Sequence, residues 1–568
     1  MNAPITYNFA DLAGRFAAVA PKPKAQPLNQ STAEGGRNNH LMVAAGFYRR
    51  QGFDETRIVK ELRRLNLLNV PPLADSEVLT IAKSAMRYPA EFACTDLGNL
   101  ERVRAAHEAD MRFNISLGQH RTWNGKYWQL DEGEVKWNEF IAATVLGIHD
   151  EAKAAAQAGD TTRHAALAKW AITSQSKQRR NNIVADLKQT SEIAFSGEKF
   201  DSHPLLFNCA NGTLNLKVGE QFGLRPFNRD DLLTAGSDIV YDEVAKCPLW
   251  IEFLDLIFNG NRDIIRWVQK FCGYCMTGDI GEQIFTILWG SGSNGKSTFL
   301  SVLQAILGIG RYCCKLDNDL LIAYRDKVAS CEIATLVGMR LAVGSEPKQG
   351  GILRIDRIKE WTGDDVVHAK ALYENPFDFR RQFKLLLLTN HKPRLTETGE
   401  AVRRRIRLVP FTAQIPESNK KPNYWQTLLA KEASGILAWM VEGCRLWQEE
   451  GLKAPKEIVD ASAEYVDQQD QVQQFITDRC EIALGSEVQA AVLYMAYNNW
   501  CKGSGCFPLS NKNFKERLMQ LHSATVSSDR NSQGNVYRGI KLNQVTGVDD
   551  NLPFYAQSSA GSVTHDAF

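Results

Sequence analysis

The sequence predicts a multidomain α/β protein. A P-loop core lies near the middle of the chain, helical units precede it, and a small mixed unit closes the C-terminal end. Three observations predict this. Residues 250–415 alternate short apolar runs with helical patterns, the mark of a sheet covered by helices. Gly290-Ser-Gly-Ser-Asn-Gly295-Lys296-Ser297 fits G-x-x-x-x-G-K-[ST] at each fixed position. The chain has 568 residues, which at about 150 residues per domain gives a prior of roughly four domains.

Residues 1–36 read as a flexible segment, with Pro, Lys, Gln, Ser and Gly concentrated over 21–36. Residues 37–92 read as a helical module. Leu41, Ala44 and Ala45 begin one apolar stripe, and Ile58, Leu62 and Leu65 a second. Pro71-Pro72 stops that helix, and Ser76–Met86 starts a third with Glu77 near its positive end. Residues 93–250 form a mixed α/β domain. It holds a hairpin through Arg121–Trp128 about an Asn124-Gly125 turn, Ala-rich helices from about 137 to 195, and short strands at 205–208 and 212–216. The basic cluster Lys177, Arg179 and Arg180 reads as a solvated helix end. The core spans 251–415, a helical segment 416–482, and a small helical unit ending in a β-hairpin 483–548. The polar tail 549–568 is expected to be disordered.

Hydrophobic residues are 44% and charged residues 23%, an ordinary globular balance that excludes a largely disordered chain. Lys and Arg number 67 against 65 Asp and Glu, a net charge of +2. Bulk charge therefore argues for no nucleic-acid partner, and any such binding rests on local basic patches. Twelve cysteines without framework spacing point to reduced thiols in a cytosol. Cys272 and Cys275 read as two helix positions facing a core. No apolar run approaches the ~18 residues that span a bilayer. Asp11 and Arg15 interrupt the first apolar stretch, unlike a signal peptide. A cytoplasmic protein with no membrane partner is expected.

The glycine-rich loop carries the strongest chemical signal. Its pattern arises by chance in a chain of this length roughly once in fifty. The buried-strand run Gln283–Trp289 stands directly before it, a helical pattern over Ser297–Leu307 directly after, and Gly308 sits where a C-cap belongs. Glycines let backbone N–H groups turn toward phosphate oxygens, and the following helix points its positive end at the same charge. Gly290, Ser291, Gly292, Ser293, Asn294, Gly295, Lys296, Ser297 and Thr298 are the candidate ATP-binding residues. Lys296 would reach the β- and γ-phosphates, and Ser297 would ligate Mg2+.

A short strand Leu341–Val343 leads to Gly344-Ser345-Glu346. Glu346 at its end is the candidate for polarising the attacking water or holding the water shell of Mg2+. A third strand, Phe383–Leu388, leads to Thr389-Asn390, and Asn390 is able to hydrogen-bond both phosphate and water. Arg403-Arg-Arg-Ile-Arg407 then precedes Leu408–Phe411, too dense for ordinary surface charge. In ring ATPases a neighbouring subunit supplies an arginine to the transition state. Arg404 and Arg405 are the candidates, with Arg405 favoured because it stands directly before the strand.

Lysine, acid, asparagine and arginine thus follow one another in order, and with them the chain resembles a superfamily 3 helicase, a compact branch of the AAA+ ATPases. It is most similar to the phage/plasmid and poxvirus-type primase-helicases. The stretches that carry the resemblance are ILWGSGSNGKST, RLAVGSEPKQG, IKEWTGDDVVHAKALYENPFDF, LLLLTNHKP and AVRRRIRLVPF, with NGTLNL and CGYCMTGDIGEQ upstream. The resemblance covers roughly residues 95–545 and implies a homohexameric ring that moves 3′ to 5′ on single-stranded DNA and unwinds forked duplex. It also implies work at replication origins or forks of a phage, prophage or plasmid in a bacterial host cell. The segment around 363–377 resembles the family's channel hairpin, which makes His368, Lys370 and Tyr373 candidates for DNA contact. Many members carry two adjacent acids at the second motif. Here Ser345 precedes Glu346, so metal positioning leans more on Ser297.

Residues 35–88 resemble the helical module that follows the polymerase domain of phage primases. Residues 1–250 hold no Asp-x-Asp strand pattern and no zinc-ribbon Cys/His set, so priming is expected to be absent or supplied by a separate chain. The C-terminal unit, from Tyr494 and Trp500 through Tyr537–Ile540, resembles the family's winged-helix end. Asn511–Leu521 would be its recognition-like helix and Ser532–Asn535 the turn of its wing, with Lys512, Lys515, Arg530 and Arg538 set to meet phosphates. An initiator or loader that melts an origin without processive unwinding shares every ATPase residue. A primase-helicase with a degenerate priming centre is a third reading. A small-molecule P-loop kinase is disfavoured by the arginine run and the extra C-terminal unit.

Overall fold

The computed structural model describes residues 36–50, 52–87, 91–219, 221–323, 330–345, 351–363, 366–370, 376–504, 506, 508–532 and 534–543. The expected flexible segment, up to residue 35, and the tail from 549 lie outside the described residues. The protein is a mixed α/β, multidomain molecule with a parallel sheet. Among the described residues no helix is long and apolar enough to cross a membrane.

Three helices open it: α1 (Arg37–Arg50), α2 (Glu55–Asn66) and α3 (Asp75–Ala85). Asp54 caps α2 by accepting from Arg57 N–H. The expected stripes meet, with Leu41, Ile58, Leu62 and Ile81 in a core of their own. Next come α4 (Asp96–His107), β1 (Met111–Asn114), β2 (Gln119–Trp123), β3 (Trp128–Leu130), α5 (Val135–Gln157), α6 (Thr161–Ser174), α7 (Lys177–Leu187) and β4 (Ala194–Phe195). β2 and β3 form the expected hairpin, with Trp123 opposite Trp128. Asn124 Oδ1 ties its turn by accepting from the N–H groups of Lys126 and Tyr127, both at 2.9 Å.

An antiparallel sheet of β5 (Leu206–Cys209), β6 (Gly212–Asn215) and β7 (Gly223–Arg225) begins the central body. Phe207 and Leu214 bury in the same core as α8 (Pro248–Ile257) and α9 (Arg262–Cys275). The packing therefore does not divide at residue 250, as the sequence reading had it. Cys272 and Cys275 face that core, and burial raises both thiols, Cys275 to about 12.

The chain continues through β8 (Phe285–Trp289), α10 (Lys296–Leu307), β9 (Cys313–Lys315), α11 (Asn318–Leu321), β10 (Ile322–Ala323), β11 (Leu341–Ser345), β12 (Ile352–Leu353) and α12 (Ile355–Gly363). It then forms β13 (Val366–Lys370), β14 (Pro376–Arg380), β15 (Lys384–Thr389), α13 (Glu400–Arg403), β16 (Ile406–Pro410), α14 (Tyr424–Glu450) and α15 (Lys456–Asp467). Five strands pair in the order β16-β8-β15-β11-β9, all parallel. β15 is central and buried along its length, which is why it reads Lys-Leu-Leu-Leu-Leu-Thr. The backbones of α9 and α14 touch. A Cβ on Gly273 would lie 2.0 Å from Cys444 N, and one on Gly443 2.1 Å from Gln269 O. The buried Glu432 of α14 accepts from Leu249 and Trp250 N–H, both at 2.9 Å, and so holds the positive end of α8.

The C-terminal unit runs α16 (Gln471–Arg479), β17 (Cys480–Gln489), α17 (Ala490–Gly503), α18 (Asn511–His522), β18 (Ser527–Asn531) and β19 (Gly534–Leu542), with strand order β17-β19-β18. Val472, Phe475 and Ile476 sit in its core. The unit therefore begins with α16, ahead of the expected boundary at 483, and β17 occupies part of the stretch read as helix.

Two cations lie beneath the sheet. Arg340, only 1% exposed, donates to the carbonyls of Met276 and Leu206. Lys384 donates to the Thr277 carbonyl and lies 4.5 Å from the centre of the Tyr274 ring. Burial lowers the Lys384 ammonium to about 7. Unfolded, that group titrates near the ordinary ~10.4. Between these values the unfolded chain binds more protons, so stability rises with pH across the window and loses this dependence below it. Lys384→Met is expected to remove the rise. Between pH 7 and 9 the wild type should gain on the order of 2 kcal/mol relative to the variant in denaturant unfolding.

Candidate functional site

The glycine-rich loop joins β8 to α10 and is shaped by its neighbours across the sheet. Gly290 admits no side chain, because a Cβ there would lie 2.2 Å from Asn294 Nδ2 and 2.4 Å from Phe411 O. Gly295 has φ +81, and its Cβ would strike Ile257 at 2.4 Å. Phe411 N–H donates to Trp289 O at 2.8 Å and Ile415 N–H to Ser293 O at 3.0 Å, so the residues after β16 hold both ends of the loop. Asn294 Nδ2 donates to Phe411 O at 3.1 Å. Lys296, 4% exposed, turns inward and donates to Gly290 O at 2.7 Å and Asn294 Oδ1 at 2.9 Å.

Gly295 gives α10 no side-chain cap, so the first N–H groups of this twelve-residue helix are open to an anion. Ser291, Ser293 and Ser297 are exposed on the outer side of the loop, and Thr298 is half-buried behind them. A loop that tolerates no Cβ at Gly290 or Gly295, an uncapped helix end and an ammonium within it suit a chain of phosphates. The exposed Ser297 hydroxyl at the same end is a hard oxygen donor of the kind Mg2+ takes.

Register places the other candidates. Thr389 of β15 stands opposite Trp289 of β8, and Ser345 of β11 opposite Leu388. Asn390 is therefore the first residue beyond the strand next to the loop, and it is exposed. Glu346 lies outside the described residues. Its predecessor Ser345 is clamped by Asn318, whose Nδ2 donates to Ser345 O at 2.7 Å and whose Oδ1 accepts from Ser345 N–H at 3.2 Å. Sequence reasoning missed Asn318, since nothing local marks it: β9 and β11 become neighbours only in the folded sheet.

The arginines stand at the other end. Ile406 of β16 pairs with Phe285, and Pro410 with Trp289, so Arg403–Arg405 precede the strand at the edge opposite the loop. The intervening strand is roughly 15 Å long. Arg404 is exposed. Arg405 is 7% exposed, and it donates to Thr362 Oγ1 and Ala401 O, both at 2.8 Å. The preference for Arg405 as the arginine presented to a neighbour is thus corrected. Its guanidinium packs inside its own chain, and Arg404 is the outward member.

β13 and β14 form an antiparallel hairpin with His368 opposite Asp378. The His368 ring is exposed and pairs with the Asp378 carboxylate, which offsets a positive charge there. Lys370 ends β13, and Tyr373 lies outside the described residues. In the C-terminal unit Lys512 and Lys515 are exposed on α18 and Arg530 on β18. Arg538 is exposed on β19 and lies 3.2 Å from Glu487 and 3.0 Å from Asp529, so two acids partly offset its charge.

Three family models match the chain. Residues 27–90 match "Primase C terminal 1", residues 101–259 "D5 N terminal like", and residues 288–405 a family of unknown function. A protein of Acanthamoeba polyphaga mimivirus named as a helicase is 27% identical over 334 residues, 54% of this chain and 34% of its own length. One of Frog virus 3, also named as a helicase, is 25% identical over 405 residues, 56% of this chain and 41% of its own. One of African swine fever virus named as a primase is 22% identical over 248 residues, 41% of this chain and 25% of its own. This chain thus spans well under half the length of these relatives. The solved apo C-terminal region of NrS-1 is 11% identical, with a TM-score of 0.44, and covers 76% of this chain and 96% of its own.

The two arginines separate by experiment. Arg405→Ala is expected to cost about 2–3 kcal/mol by removing the donor to Thr362 Oγ1 and Ala401 O from a buried site, and Arg404→Ala less than ~0.5 kcal/mol. Side-by-side thermal unfolding reads the difference, and equal shifts would reverse the assignment.

Proposed function

We propose that this chain, which fits a primase-helicase family of the superfamily 3 type, is an ATP-driven DNA helicase of replication that works as a ring. The observation that supports this best is the split between the loop 290–297 and Arg404. They lie at opposite ends of adjacent parallel strands, so one chain's arginine does not complete its own cradle. A second copy does. The strand order β16-β8-β15-β11-β9, with the loop after β8, Asn390 directly after the adjacent β15 and Ser345 at the end of β11 beyond it, supports an AAA+ P-loop core.

On this reading Lys296 leaves Gly290 O and Asn294 Oδ1 for the β- and γ-phosphates, while Asn294 stays on Phe411. The helix end of α10 and the loop amides take the remaining phosphate charge. Ser297 and Glu346 would hold Mg2+, which would supply neutralisation of that charge. Glu346 orients the attacking water, and Asn390 reads the terminal phosphate. Arg404 arrives from the neighbouring copy to stabilise the transition state. The hairpin of β13 and β14 carries His368, Lys370 and Tyr373 toward the strand in the ring channel. The C-terminal unit serves as a winged helix that meets phosphates through Lys512, Lys515 and Arg530. The Primase C terminal 1 match supports a working partnership with a priming activity.

Lys296→Ala is expected to abolish ATP turnover. Arg404→Ala should lower it by about 10³-fold or more. Mixing the two inactive variants should restore part of the activity, because some junctions then pair an intact cradle with an intact arginine. A mixture that assembles and stays inactive would count against the shared site. Mass measurement with an ATP analogue and single-stranded DNA should give a hexamer, and a forked duplex should be unwound. A monomer that turns over ATP at full rate would end the ring reading.

A further inference from the structure

The segment between Asn390 and Arg404 is fastened to the C-terminal unit by a buried carboxylate. Asp470 is 2% exposed. Its Oδ1 accepts from Val472 and Gln473 N–H at 3.0 and 3.1 Å, which caps α16. Its Oδ2 takes Arg517 of α18 at 2.7 Å through Nε and 2.5 Å through Nη2, and also the Thr398 hydroxyl at 3.1 Å. Arg517 Nη2 donates to the Thr398 carbonyl at 3.2 Å as well. That carbonyl also accepts from Arg403 Nε at 3.2 Å, one residue before Arg404. Closer to Asn390, the Tyr465 hydroxyl donates to Pro393 O at 2.6 Å. Removing one partner of a buried charge pair is costly, so the contact holds one geometry firmly.

Helix α18 therefore has two duties. Lys512 and Lys515 are exposed on it, and Arg517 turns into the body. We propose that Arg517 and Asp470 form the clamp through which DNA held by the C-terminal unit sets the position of the 390–404 segment, and so the rate of ATP hydrolysis. Arg517 is a positioning residue, since its guanidinium is turned onto Asp470 and the Thr398 carbonyl. The inference rests on the helicase reading above and names a regulator of that same site.

The test uses the full chain and measures ATP turnover with and without single-stranded DNA, beside DNA affinity by fluorescence anisotropy. Arg517→Ala should keep DNA-free turnover and DNA affinity within about twofold of the wild type while losing at least about fivefold of the DNA stimulation, the low end of coupling between sites. Thr398→Val, which keeps the volume and removes the hydroxyl, should lose part of it. Arg517→Lys should fall between, because an ammonium does not span Asp470 and the Thr398 carbonyl as a guanidinium fork does. Unchanged stimulation in Arg517→Ala and Thr398→Val would overturn the clamp. So would a parallel fall of both rates in both variants, the mark of a merely structural role. A wild type with no Lys296-dependent turnover would sink the helicase reading and the clamp with it, and shows itself as a flat wild type rather than a flat variant.

Discussion

An ammonium buried inside its own loop is the constraint on which the central body depends. Lys296 is held by a carbonyl and an amide oxygen, and that amide is itself fixed to Phe411 beyond β16. Such a cation is pre-placed, because both oxygens that hold it are fixed by the loop's own backbone and by Asn294. Because the anchor sits on a neighbouring strand, the loop keeps its shape only while β8 and β16 stay paired. The apolar runs of the sheet thus serve the loop directly: they fix the distance between the backbone that turns and the backbone that holds it.

The same parallel arrangement sorts chemistry to the two edges of the sheet. Strand ends that carry the loop, Ser345 and Asn390 collect at one edge, and the arginine run is left at the other. In the proposed ring, the need for a second copy would follow from strand direction rather than from any special interface residue.

How much was legible beforehand varies with how local each cause is. The loop was readable because its glycines answer to backbone geometry within six residues. β15 was readable because burial on both faces leaves a run of leucines. Arg403, Arg404 and Arg405 were not separable. Consecutive residues at a helix end point about 100° apart, so one reaches Asp467, one meets water and one enters the core, and sequence carries no phase for so short a helix. β17 was hidden because Cys-Glu-Ile-Ala-Leu-Gly-Ser-Glu-Val-Gln lacks a clean alternation and breaks register between Ile482 and Glu487. Asn318 and Asp470 owe their roles to contacts across the fold, which one sequence does not encode in any window.

The paired glycines of α9 and α14 restrict how the central body changes shape. Packed helices ordinarily slide past one another on a cushion of side chains that swap rotamers. At Gly273 and Gly443 no cushion exists, and each backbone sits in a notch of the other. Translation of either helix by a fraction of a turn would drive main chain into main chain. These two helices therefore work as a keyed joint, and any strain delivered at the edge that carries the loop has to emerge at parts of the molecule hung on side-chain hydrogen bonds.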